Sequence, residues 1–233
     1  MLDEVTLRYR IVFHEPLLAA LPAHFSSVPY WLQKRIDEFK DEEDRIRKEW
    51  EERQAMYMKV SEEILKRVEQ EEEEVGGVNV HIFFRHPKIR EIDRGPMLED
   101  YHIKSMLNKA ANVVYSGKLR NFRYLIRVTP KMLLVTKDGE PAKIEFPWRY
   151  PMSGMTLRGP RNTVILAEYV SPPSAVEFDV VMLKDIASKV VRKTEHKDVR
   201  ELITFLLDYG GKYLGLGDGR NHGCGHFTVE VIE

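Results

Sequence analysis

The sequence predicts an α+β protein: an antiparallel sheet covered on one face by two helices and carrying one long helical insertion. Three observations lead there. Apolar residues alternate with polar ones in several short runs, the period of a strand with one buried face. Two other segments place apolar residues three and four apart, the period of a helix lying on a core. From Pro29 to Val75 the chain has no glycine and no proline after its first residue, and charged helix formers dominate.

The elements follow in order. Val5, Leu7, Tyr9, Ile11 and Phe13 alternate with Thr6, Arg8, Arg10 and Val12 as a first strand, and Pro16 and Pro22 break what comes next. Over 30–75, Trp31, Ile36, Phe39, Ile46, Trp50, Tyr57, Val60, Ile64 and Val68 recur mostly at three- and four-residue steps. This is an amphipathic helical arm or hairpin, roughly 65 Å long if straight, ended by Glu71 to Glu74 and Gly76-Gly77. Val78, Val80, Ile82 and Phe84 form a second strand, closed by Pro87. After Gly95-Pro96, the stripe Ile103, Met106, Leu107, Ala110, Ala111, Val114 marks the first covering helix, stopped by Gly117. Tyr124 to Val128 and Met132 to Val135 read as strands, the latter leading into the turn Lys137-Asp138-Gly139-Glu140. Phe146 to Leu157 reads as irregular, and Thr163 to Tyr169 with Val176 to Leu183 as a strand pair around Ser171-Pro172-Pro173. His196 to Tyr209 is the second covering helix, with Val199, Leu202, Ile203, Leu206 and Leu207 inward. A glycine-rich segment follows, and Phe227, Val229 and Val231 make the last strand. For residues 1–233 as a single domain, the ferredoxin-like arrangement is the simplest that accommodates this order.

Of 233 residues, 43% are hydrophobic, and the formal net charge of -1 selects no class of partner. The distribution of charge is more informative. Between Asp37 and Glu74 there are 16 acids and 8 bases, leaving 21 acids and 28 bases, a net of +7, in the rest of the chain. An acidic arm suited to a protein partner thus accompanies a basic body. Cys224 is the only cysteine, which precludes an intramolecular disulfide and fits a reducing compartment. No apolar run approaches the ~18 residues of a membrane span, so the expectation is a soluble, cytoplasmic chain with no membrane partner.

Residues 215 to 227 read Gly-Leu-Gly-Asp-Gly-Arg-Asn-His-Gly-Cys-Gly-His-Phe, with glycine at Gly215, Gly217, Gly219, Gly223 and Gly225. Amides without Cβ obstruction can cradle an anion, and Arg220 adds a planar fork suited to phosphate. His222 and His226 could donate to phosphate or stack on a base. The segment lacks the Lys-Ser/Thr pair of a nucleotide-hydrolase loop, and it runs from helix into strand, which rules out the dinucleotide fingerprint.

This segment resembles the C-terminal Gly-rich loop of the RAMP superfamily of CRISPR-associated RNA-binding proteins. Gly215-Leu216-Gly217 and Gly223-Cys224-Gly225 stand in the two glycine–hydrophobic–glycine places, with Arg220 between them and Phe227 opening the strand. His102-Ile103-Lys104-Ser105-Met106-Leu107 lies where that superfamily has its first helix, and the stretch from Glu168 to Leu183 is similar to its strand pair before the second helix. The resemblance implies a ferredoxin-like (RRM-like) core that contacts RNA backbone. It does not imply cleavage, since no histidine here falls in a motif that assigns it a catalytic role.

Other residues complete the expected site. Phe146-Pro147-Trp148-Arg149-Tyr150, with Arg158 and Arg161 beyond, interleaves rings that could stack on single-stranded bases with cations for phosphate. Lys104 and Lys109 with Lys118, Arg120, Arg123 and Arg127 offer a second phosphate track. His102, His222 and His226 are the candidates for a metal-independent endoribonuclease, which needs one base and one acid near neutral pH. His222, Cys224 and His226 bring three metal donors close together without an evident fourth, so no metal and no cofactor are expected. The competing readings are RNA binding through the loop within a larger ribonucleoprotein, endonucleolytic cleavage, and an assembly module acting through the 30–75 arm.

Overall fold

The computed structural model describes residues 3–22, 78–83, 95–156 and 159–232. The helical insertion expected over 30–75, and Arg158, lie outside the described residues. Within them the chain is a mixed α/β structure of three α-helices and sheets that are antiparallel but for one strand pair.

The first sheet is organised around β1 (Glu4–Phe13). It pairs antiparallel with β12 (Ser174–Leu183) along its whole length, from Glu4↔Leu183 to Phe13↔Ser174. On its other side it takes β13 (Phe227–Ile232), from Arg8↔Ile232 to Phe13↔Phe227. The free side of β12 accepts β6 (Arg127–Thr129) and, further along, β8 (Thr136–Lys137), which turns through Asp138-Gly139 into β9 (Glu140–Pro141). The strand order is therefore β13-β1-β12-β6.

Alternation decides which face is buried. Leu7, Tyr9 and Ile11 sit opposite Val180, Phe178 and Val176, and all six are buried. They pack under α1 (Asp100–Val114) and α3 (Val199–Tyr209), whose buried residues are Ile103, Met106, Leu107, Ala110 and Ala111, and Leu202, Ile203, Leu206 and Leu207. The Tyr9 hydroxyl reaches across the core to Thr204 Oγ1 at 3.3 Å, which satisfies a polar atom that burial would otherwise penalise. Asp198 caps α3 by accepting the Glu201 amide, and Glu201 returns a bond to the Lys197 amide.

The second sheet is built on a long hairpin, β10 (Glu145–Thr156) and β11 (Gly159–Val170). Parallel to β11 runs β4 (Val78–Ile82), followed by β3 (Leu21–Pro22), while β2 (Leu17–Leu18) pairs with the other end of β11. A small pair, β5 (Met97–Glu99) with β7 (Met132–Leu134), stands apart.

Four local expectations are corrected. The stretch expected to be irregular, 146–157, is largely strand β10. Its prolines are accommodated because β10 is an edge strand and Pro147 falls in a bulge between Glu145 and Trp148. The stretches expected to pair around Ser171-Pro172-Pro173 belong to different sheets. Two consecutive prolines bring no N–H to a hairpin ladder, and the link carries the chain from one sheet to the other. Phe122–Tyr124 is a tight 3-10 turn ahead of the strand at Arg127. A short helix, α2 (Lys184–Val191), was not anticipated; it buries only Ala187 and Val190, too weak a stripe to announce it.

The glycine-rich segment is the seam between the sheets. The Pro16 carbonyl accepts the Gly225 amide at 2.9 Å and the Leu18 carbonyl accepts the Asp218 amide at 3.2 Å, while inside the loop the Leu216 amide bonds the Gly225 carbonyl at 2.9 Å. Cys224 is buried beside Leu18, Tyr150, Ile165 and Ala167 in the core of the second sheet. Backbones this close leave no room for side chains. A Cβ on Gly225 would lie 1.8 Å from the Leu216 carbonyl oxygen, and one on Gly217 would lie 2.4 Å from that of Leu18. Gly223 adopts a positive φ of 81° as well, but nothing lies within 4 Å of its Cβ position.

That contrast predicts unequal effects of one substitution. Gly223→Ala incurs only the left-handed backbone cost, about 1–2 kcal/mol. Gly225→Ala adds a backbone collision, a further cost of about 1–3 kcal/mol by the standard of overpacked interiors. Thermal unfolding of the two variants checks the order: Gly225→Ala has the distinctly lower Tm.

Candidate nucleic-acid interface

Burial divides the loop. Gly215, Gly217, Gly219, Cys224 and Gly225 are buried, whereas Arg220, Asn221, His222 and Gly223 form an exposed crown built on a single 3-10 turn, Arg220–His222. The glycine amides are largely taken up inside the protein. Gly215 N–H bonds the Gly210 carbonyl, Gly219 N–H the Asp218 carboxylate, Gly223 N–H the Arg220 carbonyl and Gly225 N–H the Pro16 carbonyl. Buried amides must find partners, and a loop wedged between two sheets finds them in its own neighbourhood. What the loop shows to solvent is the side chains of Arg220, Asn221 and His222.

Arg220 connects the loop to α1. Its Cγ packs 3.3 Å from the Cβ position of Gly215, and its charge acts on His102 in the first turn of the helix. Burial and then the nearby guanidinium lower the His102 pKa from its ordinary 6.5 to about 4, against a smaller opposing effect of Asp100. His102 is thus a neutral ring at neutral pH. Tyr101, 46% exposed, stacks on it with ring centroids 4.1 Å apart. Lys104 pairs with Asp100 at 2.7 Å one helical turn back, so its charge is partly answered within the helix.

The remaining expected residues are placed elsewhere. The His222 ring lies 5.2 Å from that of Tyr150. His226 holds the Gly211 carbonyl at 3.0 Å through Nδ1, which therefore carries the proton. His102, His222 and His226 thus have three different sets of neighbours. Arg149 is exposed and, by the alternation of β10, points to the face opposite Tyr150, away from the loop. Arg161 occupies a β11 position opposite Gly154. With Cys224 directed into the core and His226 bonded to Gly211, the His222–Cys224–His226 trio does not converge on a point, and among the described residues no group of three or more such side chains could hold a metal ion.

Sequence reasoning missed a second polar cluster on the inner side of the loop. His81 of β4 donates from Nδ1 to Asp218 Oδ2 at 2.5 Å, and the other carboxylate oxygen accepts the Gly219 amide at 2.8 Å. Burial alone would raise Asp218; the His81 ring, the Tyr150 hydroxyl and the Gly219 amide outweigh it and hold the pKa at about 2. The Tyr150 hydroxyl is buried beside this carboxylate without meeting hydrogen-bond geometry, and burial followed by the adjacent anion pushes its pKa far above the ordinary phenol value. The one available signal was an acid, Asp218, in the middle of a loop otherwise suited to anions.

No family model matches the chain, and no curated protein matches it. Among solved structures it is similar to a chain of one titled Type IV-B CRISPR Complex, at 8% identity over 98% of this chain and 90% of that one, with a TM-score of 0.47. No helix among the described residues is long and apolar enough to cross a membrane.

The His102 environment makes a signed prediction. Because its folded pKa is below its unfolded value, the unfolded chain binds the proton first as pH falls. The resulting stability is complete above pH 6.5 and is lost between 6.5 and about 4, by on the order of 3 kcal/mol at most. Chemical denaturation across this window is expected to show that loss in the parent protein and to show it reduced in His102→Asn. Arg220→Ala is expected to move the His102 pKa upward, read by NMR titration of its ring.

Proposed function

We propose that this protein binds single-stranded RNA through the crown of the Gly-rich loop and the adjoining first turn of α1. The observation that carries the proposal is the exposure of Arg220, Asn221 and His222 on the loop, with Arg220 close enough to act on a neutral His102 on which the exposed Tyr101 stacks. Arg220 and Asn221 supply donors for phosphate oxygens, and Tyr101 offers an apolar face for a base, the two requirements for holding a single strand without reading its sequence. The buried half of the loop acts as mount, not as cradle.

The reading extends to the fold. The order β13-β1-β12-β6, with α1 between β1 and β6 and α3 between β12 and β13, supports a ferredoxin-like core of the RAMP kind. Cleavage is not part of the proposal, because the candidate histidines have separate surroundings and His102 is a neutral ring near neutral pH, not the imidazolium that a general acid requires.

Fluorescence anisotropy with a labelled single-stranded RNA tests it. Arg220→Ala, which removes an exposed side chain, is expected to weaken binding across RNA sequences and to reduce the log–log salt slope by about 0.7, the share of one phosphate on a single strand. Affinity and slope unchanged in Arg220→Ala and Tyr101→Ala would count against the interface.

A further inference from the structure

At the other end of α1 a second surface has the chemistry of a nucleic-acid contact. From Ser116 to Lys137 the chain contains no acid and six bases: Lys118, Arg120, Arg123, Arg127, Lys131 and Lys137. Arg127 is answered by Glu4 at 3.0 Å, and the Lys137 ammonium by the Pro172 carbonyl at 3.2 Å. Lys118, Arg120 and Arg123 are exposed and, among the described residues, make no ion pair.

Their display is fixed by the segment's own packing. Leu119 and Phe122 are buried, so the residues next to them are turned outward. Ser116, Gly117 and Asn121 all take positive φ, and the Arg123 amide is held by Asn108 Oδ1 of α1 at 3.3 Å. The exposed Tyr124, with 72% of its surface open, is pinned by Arg123 alone: the guanidinium stands 4.7 Å from the ring centroid and donates to the hydroxyl at 2.8 Å. One ring face is covered by a cation and the other is free. A ring backed by a guanidinium and flanked by cations without ion-pair partners has the chemistry of a platform for a base whose phosphates are met by Lys118 and Arg120.

We infer that the turn Lys118–Tyr124 is a second contact for single-stranded nucleic acid. It is separated from the loop crown by the length of the fifteen-residue α1, roughly 22 Å. Its relation to the first interface rests on the function proposed above: a single strand long enough would engage both ends of α1 at once, gaining affinity through effective concentration.

Oligouridylate and oligothymidylate of about twenty nucleotides, and of about four, serve as probes, with binding followed by anisotropy. The double variant Lys118→Ala/Arg120→Ala and the single variant Tyr124→Ala alter exposed side chains only, and an unchanged Tm verifies the fold. Each is expected to weaken the long oligomer roughly tenfold and the short one much less, with the salt slope of the double variant falling by about 1.4. Equal loss with uridylate and thymidylate assigns the contact to any single strand, and loss with uridylate alone assigns it to RNA; either supports the inference. Unchanged long-oligomer affinity in both variants overturns it. Loss in the double variant with none in Tyr124→Ala also overturns it, since the surface is then a general polyanion contact, as an acidic protein would use. Arg220→Ala, measured in parallel, reports on the loop separately, so that either interface can fail without the other.

Discussion

The architecture depends on a few backbone hydrogen bonds between the Gly-rich loop and the short strand β2 with the residue before it, the Gly225 amide to Pro16 and the Asp218 amide to Leu18. They are not individually strong, each contributing about 1 kcal/mol net. Their importance is positional. The loop links α3 to β13 of the first sheet, and β2 belongs to the second, so the seam tells each sheet where the other is. That closeness is available only where there is no Cβ, which is why Gly217 and Gly225 are glycines for reasons of packing, quite apart from any ligand.

The same loop treats its two charges oppositely. Asp218 is turned toward His81 and Gly219, whose hydrogen bonds stabilise the ionised carboxylate and hold its pKa at about 2. Arg220 is turned outward, and its influence on His102 shows that it stands over the first turn of α1. A helix N-terminus already favours anions; a guanidinium beside it adds full positive charge without adding another acid. The loop thus shows its cation to solvent and engages its carboxylate with β4.

Where a residue's fate is set by its near neighbours in sequence, the sequence was readable. The alternation in β1 located Leu7, Tyr9, Ile11 and Phe13 in the core, and the stripe from Ile103 to Ala111 located the buried face of α1. The glycines marked the loop as a place where backbones meet. Their number could not show that the backbones are those of the protein itself, because the partners, Pro16 and Leu18, are some two hundred residues away. The pair His81–Asp218, 137 residues apart, was hidden for the same reason. Strand β10 was misread because proline is discouraging to a strand only where its nitrogen would face a partner, and sequence does not reveal which strand will be the edge.

The His81–Asp218 bond also joins parts of the chain that are distant in sequence. The strand bearing His81 begins only a few residues after the acidic 30–75 segment, while Asp218 stands two positions from Arg220. The imidazole–carboxylate bond thus ties β4 to the loop by a polar contact, in addition to the apolar packing of Cys224 against Ile165 and Ala167 of β11. Two elements whose joined residues stand 137 positions apart, β4 and the loop, therefore share a contact that an ionised carboxylate holds.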